Sequence, residues 1–277
     1  MLFIEFLQKV FGDRFLGFFL GVTHLGGEAI YILLLSLYYW LLDPRQGRLL
    51  TLILTLSVIS NIVLKNAFAL PRPYVVNPAV ITPEAFHTEG SFSFPSGHAQ
   101  GITTFWGAIA WLHQKIWLWL VAITIIILVC LSRLYLGVHF PVDVAAGILL
   151  GIFWISVGLW LNGMIPLPNY QWWQKIGFWG LGGLVAIALP GLADLLGIFC
   201  GFLVLPSFTF TPPQDYRDKI MLGFGGLVIL ILSYLLLKGA SLVLPPIGLV
   251  NYGRYLAIAL IVTEGIPRLW QRLHPVR

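Results

Sequence analysis

The chain has 277 residues, of which 58% are hydrophobic and 10% charged, and its mean hydropathy is +0.90. A soluble globular domain carries about 25% charged residues, so this composition belongs to a chain solvated mostly by lipid. The net charge of +5, from 16 Lys and Arg against 11 Asp and Glu, is too small to line a phosphate-tracking face and argues against DNA or RNA as a partner.

Residues 1–10 include Glu5 and lack the basic leader and small-residue cleavage pattern of a signal peptide, so targeting is expected to fall to the spans themselves. A spanning helix needs about 20 mostly apolar residues. Residues 15–42 meet that requirement, closed by Asp43, Arg45 and Arg48, and residues 49–70 form a second run interrupted by Asn61, Lys65 and Asn66. Pro71 and Pro73 stop regular helix there. Residues 74–95 read as the longest aqueous connection, with Asn77, Glu84, His87 and Glu89. A third helix follows Pro95-Ser96-Gly97 over residues 98–111, and a fourth occupies 116–136 after a turn at Lys115. Pro141 opens the fifth, which runs to residue 161 with Asp143 in its first turn.

Beyond the polar stretch 162–174, residues 176–208 are too long for one untilted span at ~1.5 Å per residue across a core of ~30 Å. Pro190-Gly191 and Asp194 predict a break into two spans. Residues 221–237 and 252–270 supply two more, which makes nine transmembrane helices in an all-α polytopic membrane protein with a single integral membrane domain over 1–277. Cys130 and Cys200 lie inside apolar runs and read as packed thiols. Glycines within 177–191 and 223–226 read as helix-packing positions, because they lack the GxGxxG spacing of a phosphate loop. Tyr38-Tyr39-Trp40 and Trp172-Trp173 read as interface anchors.

Ionised groups are costly inside a membrane and point to function by default. Lys65 and Arg72 are seven residues apart, close to two helical turns, and could share one face if helix persists nearly to Pro71. Arg72 offers a planar fork for two phosphoryl oxygens and Lys65 a compact positive charge. Pro95-Ser96-Gly97-His98 reads as a tight turn entering a helix, whose first amides attract an anion; Ser96 adds a hydroxyl, and His98 stands where it can protonate a departing alkoxide. Ser132-Arg133 closes the fourth run, His139 follows the Gly137-Val138 bend, and Asp143 lies four residues further on. A carboxylate at that spacing can fix the imidazole tautomer and leave the other ring nitrogen free to attack phosphorus. Structural readings exist for each motif alone: snorkelling cations, a capping turn, a surface hydrogen bond.

Taken together, Lys65-Asn-Ala-Phe-Ala-Leu-Pro-Arg72-Pro73, Pro95-Ser96-Gly97-His98 and Ser132-Arg133-Leu-Tyr-Leu-Gly-Val-His139-Phe-Pro-Val-Asp143 resemble the three motifs of the type 2 phosphatidic acid phosphatase and haloperoxidase superfamily, in its membrane-bound phosphatase branch. The resemblance implies that His139 is the nucleophile, Asp143 its partner and His98 the acid and base. It also implies that Lys65, Arg72, Ser96, Gly97 and Arg133 hold the phosphate. On this reading residues 49–161 are the catalytic core, 15–42 a preceding helix and 176–270 additional helices, with the 74–95 connection folded over the site.

The expected activity is metal-independent hydrolysis of a lipid phosphate monoester or pyrophosphate through a phosphohistidine, with no cofactor and no metal. A sugar-phosphate phosphatase is the alternative enzyme, a vanadate-dependent haloperoxidase is disfavoured by the apolar chain, and a lipid transporter or scramblase retaining the site is the non-enzymatic alternative. With nine spans, Arg45, Arg48, Lys115, Lys175, Arg217, Lys219, Arg268, Arg272 and Arg277 fall on the face opposite the site. The preference of basic loops for the cytoplasm then puts the site and amino terminus outside and the carboxyl terminus inside a plasma membrane. The short loops and the lack of an Asn-x-Ser/Thr acceptor fit a bacterial protein.

Overall fold

The computed structural model describes residues 1–81, 85, 90–162, 170–204 and 210–274. Glu84, His87, Glu89 and Arg277 lie outside the described residues. The chain divides into two compact units, one of residues 1–31 and 56–161 and the other of residues 32–55 and 162–277. All the helices that bear the sequence motifs contribute them to the first unit.

In chain order the helices are α1 (Leu2–Phe11), α2 (Leu16–Thr23), α3 (Glu28–Leu41), α4 (Pro44–Phe68), the single turn α5 (Pro73–Val76), α6 (Gly97–His113), α7 (Ile116–Tyr135) and α8 (Pro141–Asn162). They continue as α9 (Trp172–Ala188), α10 (Ala193–Leu203), α11 (Tyr216–Leu242), α12 (Gly248–Leu260) and α13 (Ile266–Leu273). Their boundaries follow local chemistry. Ser96 caps α6 by accepting the Ala99 amide at 3.4 Å, Pro141 opens α8 with its fixed φ, and Gln171 and Gln174 form a reciprocal capping box on α9.

The expectation of nine spans is not met. Among the described residues four helical stretches are long and apolar enough to cross a membrane: Pro44–Val76, Ile116–Tyr135, Pro141–Asn162 and Tyr216–Ser241. A fifth exists if the pair Asp13–Gly26 and Glu28–Leu41, bent by 52°, counts as one. The C-terminal pieces are too short. The 176–208 run does break at Pro190, but into α9 of 17 residues and α10 of 11, which rise only about 25 Å and 16 Å against the ~30 Å hydrocarbon core. The 252–270 run splits at a π-helical segment, Ile261–Gly265, into α12 of 13 residues and α13 of 8. Helix α6 has 17 residues and carries Gln100, Thr103 and Thr104 buried along it.

Within the second unit Tyr39 and Trp40 are core residues, not interface anchors: Trp40 is fully buried and donates from Nε1 to Val262 O at 2.9 Å. Trp172 and Trp173 are exposed, as an anchor requires. The glycine expectation holds in part. A Cβ at Gly182 would meet Cys200 Sγ at 2.6 Å and one at Gly226 would meet the Trp40 ring at 2.8 Å, whereas Gly177, Gly180, Gly191 and Gly225 have open space.

Two contacts shape the first unit around the motifs. Leu7, Ala99, Cys130, Leu134 and Val144 form one apolar cluster, and Phe19, Tyr135, Leu136 and Val138 belong to a second. Helix α8 approaches α6 through Gly147 and Gly151, one turn apart. A Cβ at Gly147 would lie 2.6 Å from Ser96 O, and one at Gly151 would lie 2.6 Å from Thr103 Cβ. Small residues at this spacing let two backbones come close. Asp143 is one turn before Gly147 on the same face, so the close approach delivers it to the start of α6.

Candidate active site

The first motif does not share a helix face as the spacing allowed. Helix α4 stops at Phe68, Ala69 turns left-handed with φ +49°, and Arg72 is extended at φ −80°, ψ 160°. The two cations meet on residues 91–92 instead. Lys65 Nζ donates to Phe92 O at 2.5 Å and Ser91 Oγ at 3.3 Å. Arg72 donates from Nε to Ser91 O at 2.5 Å, from Nη2 to Ser91 Oγ at 3.3 Å and Phe92 O at 3.2 Å, and from Nη1 to Val138 O at 3.0 Å. Both are buried. Arg72 therefore ties the 91–92 segment to the residue that precedes His139.

The second motif enters α6 through a cis Phe94–Pro95 peptide. Ser96 is fully buried; its amide donates to Asp143 O at 3.0 Å, while its own carbonyl accepts from Gln100 N at 3.0 Å. The Gly97 and His98 amides belong to the first turn, where helix geometry directs N–H groups beyond the N-terminus. A Cβ on Gly97 would stand 3.1 Å from Asn61 Oδ1. The half-buried His98 lies beside the α2–α3 bend, where a Cβ on Gly26 would approach its Cδ2 to 2.9 Å.

In the third motif Arg133 is fully buried and donates from Nη1 to Thr23 Oγ1. Its carbonyl accepts the Val138 amide at 3.3 Å, which folds the 136–139 turn back on the end of α7. Gly137 makes that turn at φ +69°, a conformation that a residue with a Cβ rarely adopts. His139 is fully buried, and its Nδ1 is 3.5 Å from Asp143 Oδ2. The same oxygen accepts from Phe140 N at 2.8 Å and Ser93 Oγ at 2.5 Å.

A model of the PAP2 superfamily matches residues 46–165, which take in all three motifs but not Thr23. Phosphatidylglycerophosphatase B of Bacillus subtilis is 32% identical over 146 residues, covering 48% of this chain and 68% of that one. The chain belongs to the PAP2 superfamily. It is an integral, multi-pass membrane member of it. Mouse (Mus musculus) sphingosine-1-phosphate phosphatase 1 is 38% identical over 183 residues, and this match covers 64% of the chain but 40% of the mouse protein. Among solved structures, the transmembrane PAP2 type phosphatidylglycerolphosphate phosphatase of B. subtilis superposes with a TM-score of 0.51 at 25% identity, over 60% of this chain and 85% of that one.

The PAP2 motif residues are thus gathered in one unit. Lys65 and Arg72 meet on residue 92, Arg72 reaches the chain at His139, and Asp143 reaches the turn that holds Ser96, Gly97 and His98. Arg133 is joined through its own backbone and through Thr23. Sequence reasoning missed the residues that hold these in place. Asn61 Nδ2 donates to Pro95 O at 3.3 Å and Gln100 Oε1 at 2.8 Å, and Gln100 Nε2 donates to Ser57 O at 2.7 Å. Ser57 and Thr104 hydroxyls are 3.0 Å apart, and Trp154 Nε1 donates to Ser60 Oγ at 2.8 Å. A signal existed: Asn61 is a buried amide in an apolar helix one turn before Lys65.

Proposed function

We propose that this chain is a membrane phosphatase that hydrolyses a lipid phosphate monoester or pyrophosphate through a phosphohistidine on His139. The observation that carries the reading is the buried His139–Asp143 pair, 3.5 Å apart, on a turn that Arg72 binds directly. Asp143 Oδ2 orients the ring as the acceptor for Nδ1–H, without taking its proton, and leaves the Nε2 lone pair for phosphorus. Nε2 attacks in line, the bond from phosphorus to the lipid oxygen breaks, and His98 as imidazolium gives that oxygen its proton. Neutral His98 then takes a proton from water, whose oxygen attacks phosphorus and breaks the P–N bond, restoring both rings.

Lys65, Arg72, Arg133, Ser96 and the Gly97 and His98 amides neutralise the nonbridging oxygens as charge builds on them. These groups supply the positive charge that a metal would otherwise bring, and among the described residues no three or more His, Cys, Asp or Glu side chains form a group that could hold a metal ion. The names of the relatives support a lipid substrate: the mouse protein is named for sphingosine-1-phosphate and the B. subtilis matches for phosphatidylglycerophosphate. An external face for the site is supported by Arg45 and Lys115, which lie at the ends of α4 and α7 remote from the motifs; cysteine labelling of intact cells at residue 90 against residue 115 checks it.

The test is phosphate release by purified protein in nanodiscs from phosphatidic acid, phosphatidylglycerophosphate, sphingosine-1-phosphate, a polyprenyl pyrophosphate and glucose phosphate, in excess chelator. His139→Ala abolishes turnover and His98→Ala lowers it about 10²- to 10⁴-fold. Unchanged turnover in both variants overturns the proposal, and failure to trap ³²P on His139 overturns its covalent step.

A further inference from the structure

Ser93 belongs to none of the three motifs and is fully buried. Its amide donates to Leu70 O at 2.9 Å, so the residue is fixed by its backbone, and its hydroxyl donates to Asp143 Oδ2 at 2.5 Å. An ionised carboxylate only accepts, and such charge-assisted bonds are the short, strong ones.

Two donors, Ser93 Oγ at 2.5 Å and Phe140 N at 2.8 Å, bind that one oxygen, and His139 Nδ1 stands 3.5 Å from it. The two donors differ in what they fix. Phe140 is the residue before α8, and its amide is the group that a side chain at the third helical position ordinarily reaches back to. That bond orients the carboxylate relative to its own helix. Ser93 comes from the 91–93 segment, where Ser91 and Phe92 receive Lys65 and Arg72, three residues before the Ser96 cap of the helix that carries His98. Its bond orients the carboxylate relative to the cations and to the second histidine.

We infer that Ser93 is a positioning residue for the phosphoryl-transfer reaction, acting through Asp143 to hold the His139 ring in register with the His98 side of the site. The inference rests on the proposed phosphatase reading. Phe140 keeps Asp143 folded back without Ser93, so removing the hydroxyl disturbs the aim of His139 more than the fold.

The experiment measures kcat and KM for lipid phosphate hydrolysis in Ser93→Ala, Ser93→Thr, Asp143→Asn and the Ser93→Ala/Asp143→Asn pair. Ser93→Ala is expected to lower kcat about ten- to a hundredfold with KM within twofold, Ser93→Thr to recover most of the loss, and the double variant to be no slower than Asp143→Asn alone. Wild-type kcat in Ser93→Ala, or additive losses in the pair, overturns the inference. If Ser93→Ala does not yield a monodisperse protein, the Ser93→Thr kcat decides, a loss equal to that of Asp143→Asn counting against it. Activity surviving in His139→Ala and His98→Ala sinks the phosphatase reading instead, so the two failures are told apart.

Discussion

Gly137→Ala tests whether the 136–139 turn sets the position of the proposed nucleophile. Gly137 has φ +69°, and a Cβ there would lie 2.0 Å from Val80 O and 2.8 Å from Val80 C. The left-handed conformation costs an Ala about 1–2 kcal/mol by itself. The overlap matters more, because reaching the 3.0 Å that real Cβ contacts respect requires 3.0 − 2.0 = 1.0 Å of movement. Val80 O is held from its other side by Gln8 Nε2 at 2.6 Å, so the 136–139 turn takes up the shift. The Arg72 Nη1 bond to Val138 O, 3.0 Å long, then opens to about 4 Å, outside hydrogen-bond range, and His139 moves with it. A displacement of about 1 Å at a reacting group costs about 10²-fold in rate. Phosphate release by Gly137→Ala in nanodiscs should show kcat down about a hundredfold with KM little changed. Gly12→Ala is the control: φ is +60° there with open space around the Cβ, so stability falls without the loss of rate. A Gly137→Ala enzyme with kcat within twofold of the parent would refute the reasoning.

Three further outcomes follow from the packing. Gly147→Ala places a methyl 2.6 Å from Ser96 O, a backbone atom, so turnover should fall about tenfold as the start of α6 is pushed off α8, and Gly147→Leu should fall further; a Gly147→Leu enzyme of full activity refutes the close approach. Asn61→Leu leaves Gln100 Oε1 and Pro95 O without their donor, and loss of a buried partner costs about 1–3 kcal/mol, seen as a lower midpoint in detergent thermal unfolding. Gly180→Ala adds a methyl into open space within α9; it should leave turnover unchanged and stabilise by about 0.4–1 kcal/mol, and a loss of stability would show that the position is packed.

The side chains that bear charge were legible in the chain, and so was their order along it, because an ionised residue at the end of an apolar run has few other uses. How they are held was not. Lys65 and Arg72 bond mostly to main-chain carbonyls of residues 91, 92 and 138, and a carbonyl leaves no trace in a one-letter code. Ser93 is one serine among several in a polar stretch until its distance to Asp143 is known. The Gly147/Gly151 pair was readable as a small-residue repeat one turn apart, yet it sits in the best-behaved apolar run of the chain, where nothing prompts a search. The span count failed for another reason. Hydropathy reports how oily a stretch is, whereas crossing a bilayer requires unbroken length, and the C-terminal runs are broken by Pro190, the π-helical turn at Ile261–Gly265 and Pro267.

The depth of the site follows from where its residues sit on their helices. Helices α7 and α8, of 20 and 22 residues, rise about 30 and 33 Å, close to the ~30 Å hydrocarbon core. Arg133 is two residues from the end of α7, Asp143 two from the start of α8 and Lys65 three from the end of α4, all within one turn of the ends. On the proposed reading a headgroup phosphate reaches that level while its tail stays in the bilayer. The location also resolves two costs together. A cation near the apolar core needs acceptors, and carbonyls inside a helix are committed to its own ladder, which leaves those of the last turn and of non-helical backbone. Irregular backbone at the same depth needs donors, and is tolerated only against protein or water. Residues 91–92 and the 136–139 turn are irregular backbone, and Lys65 and Arg72 are the cations, so each satisfies the other. The strap that ties the three motifs together is therefore also what makes it possible to keep their charge at the membrane surface.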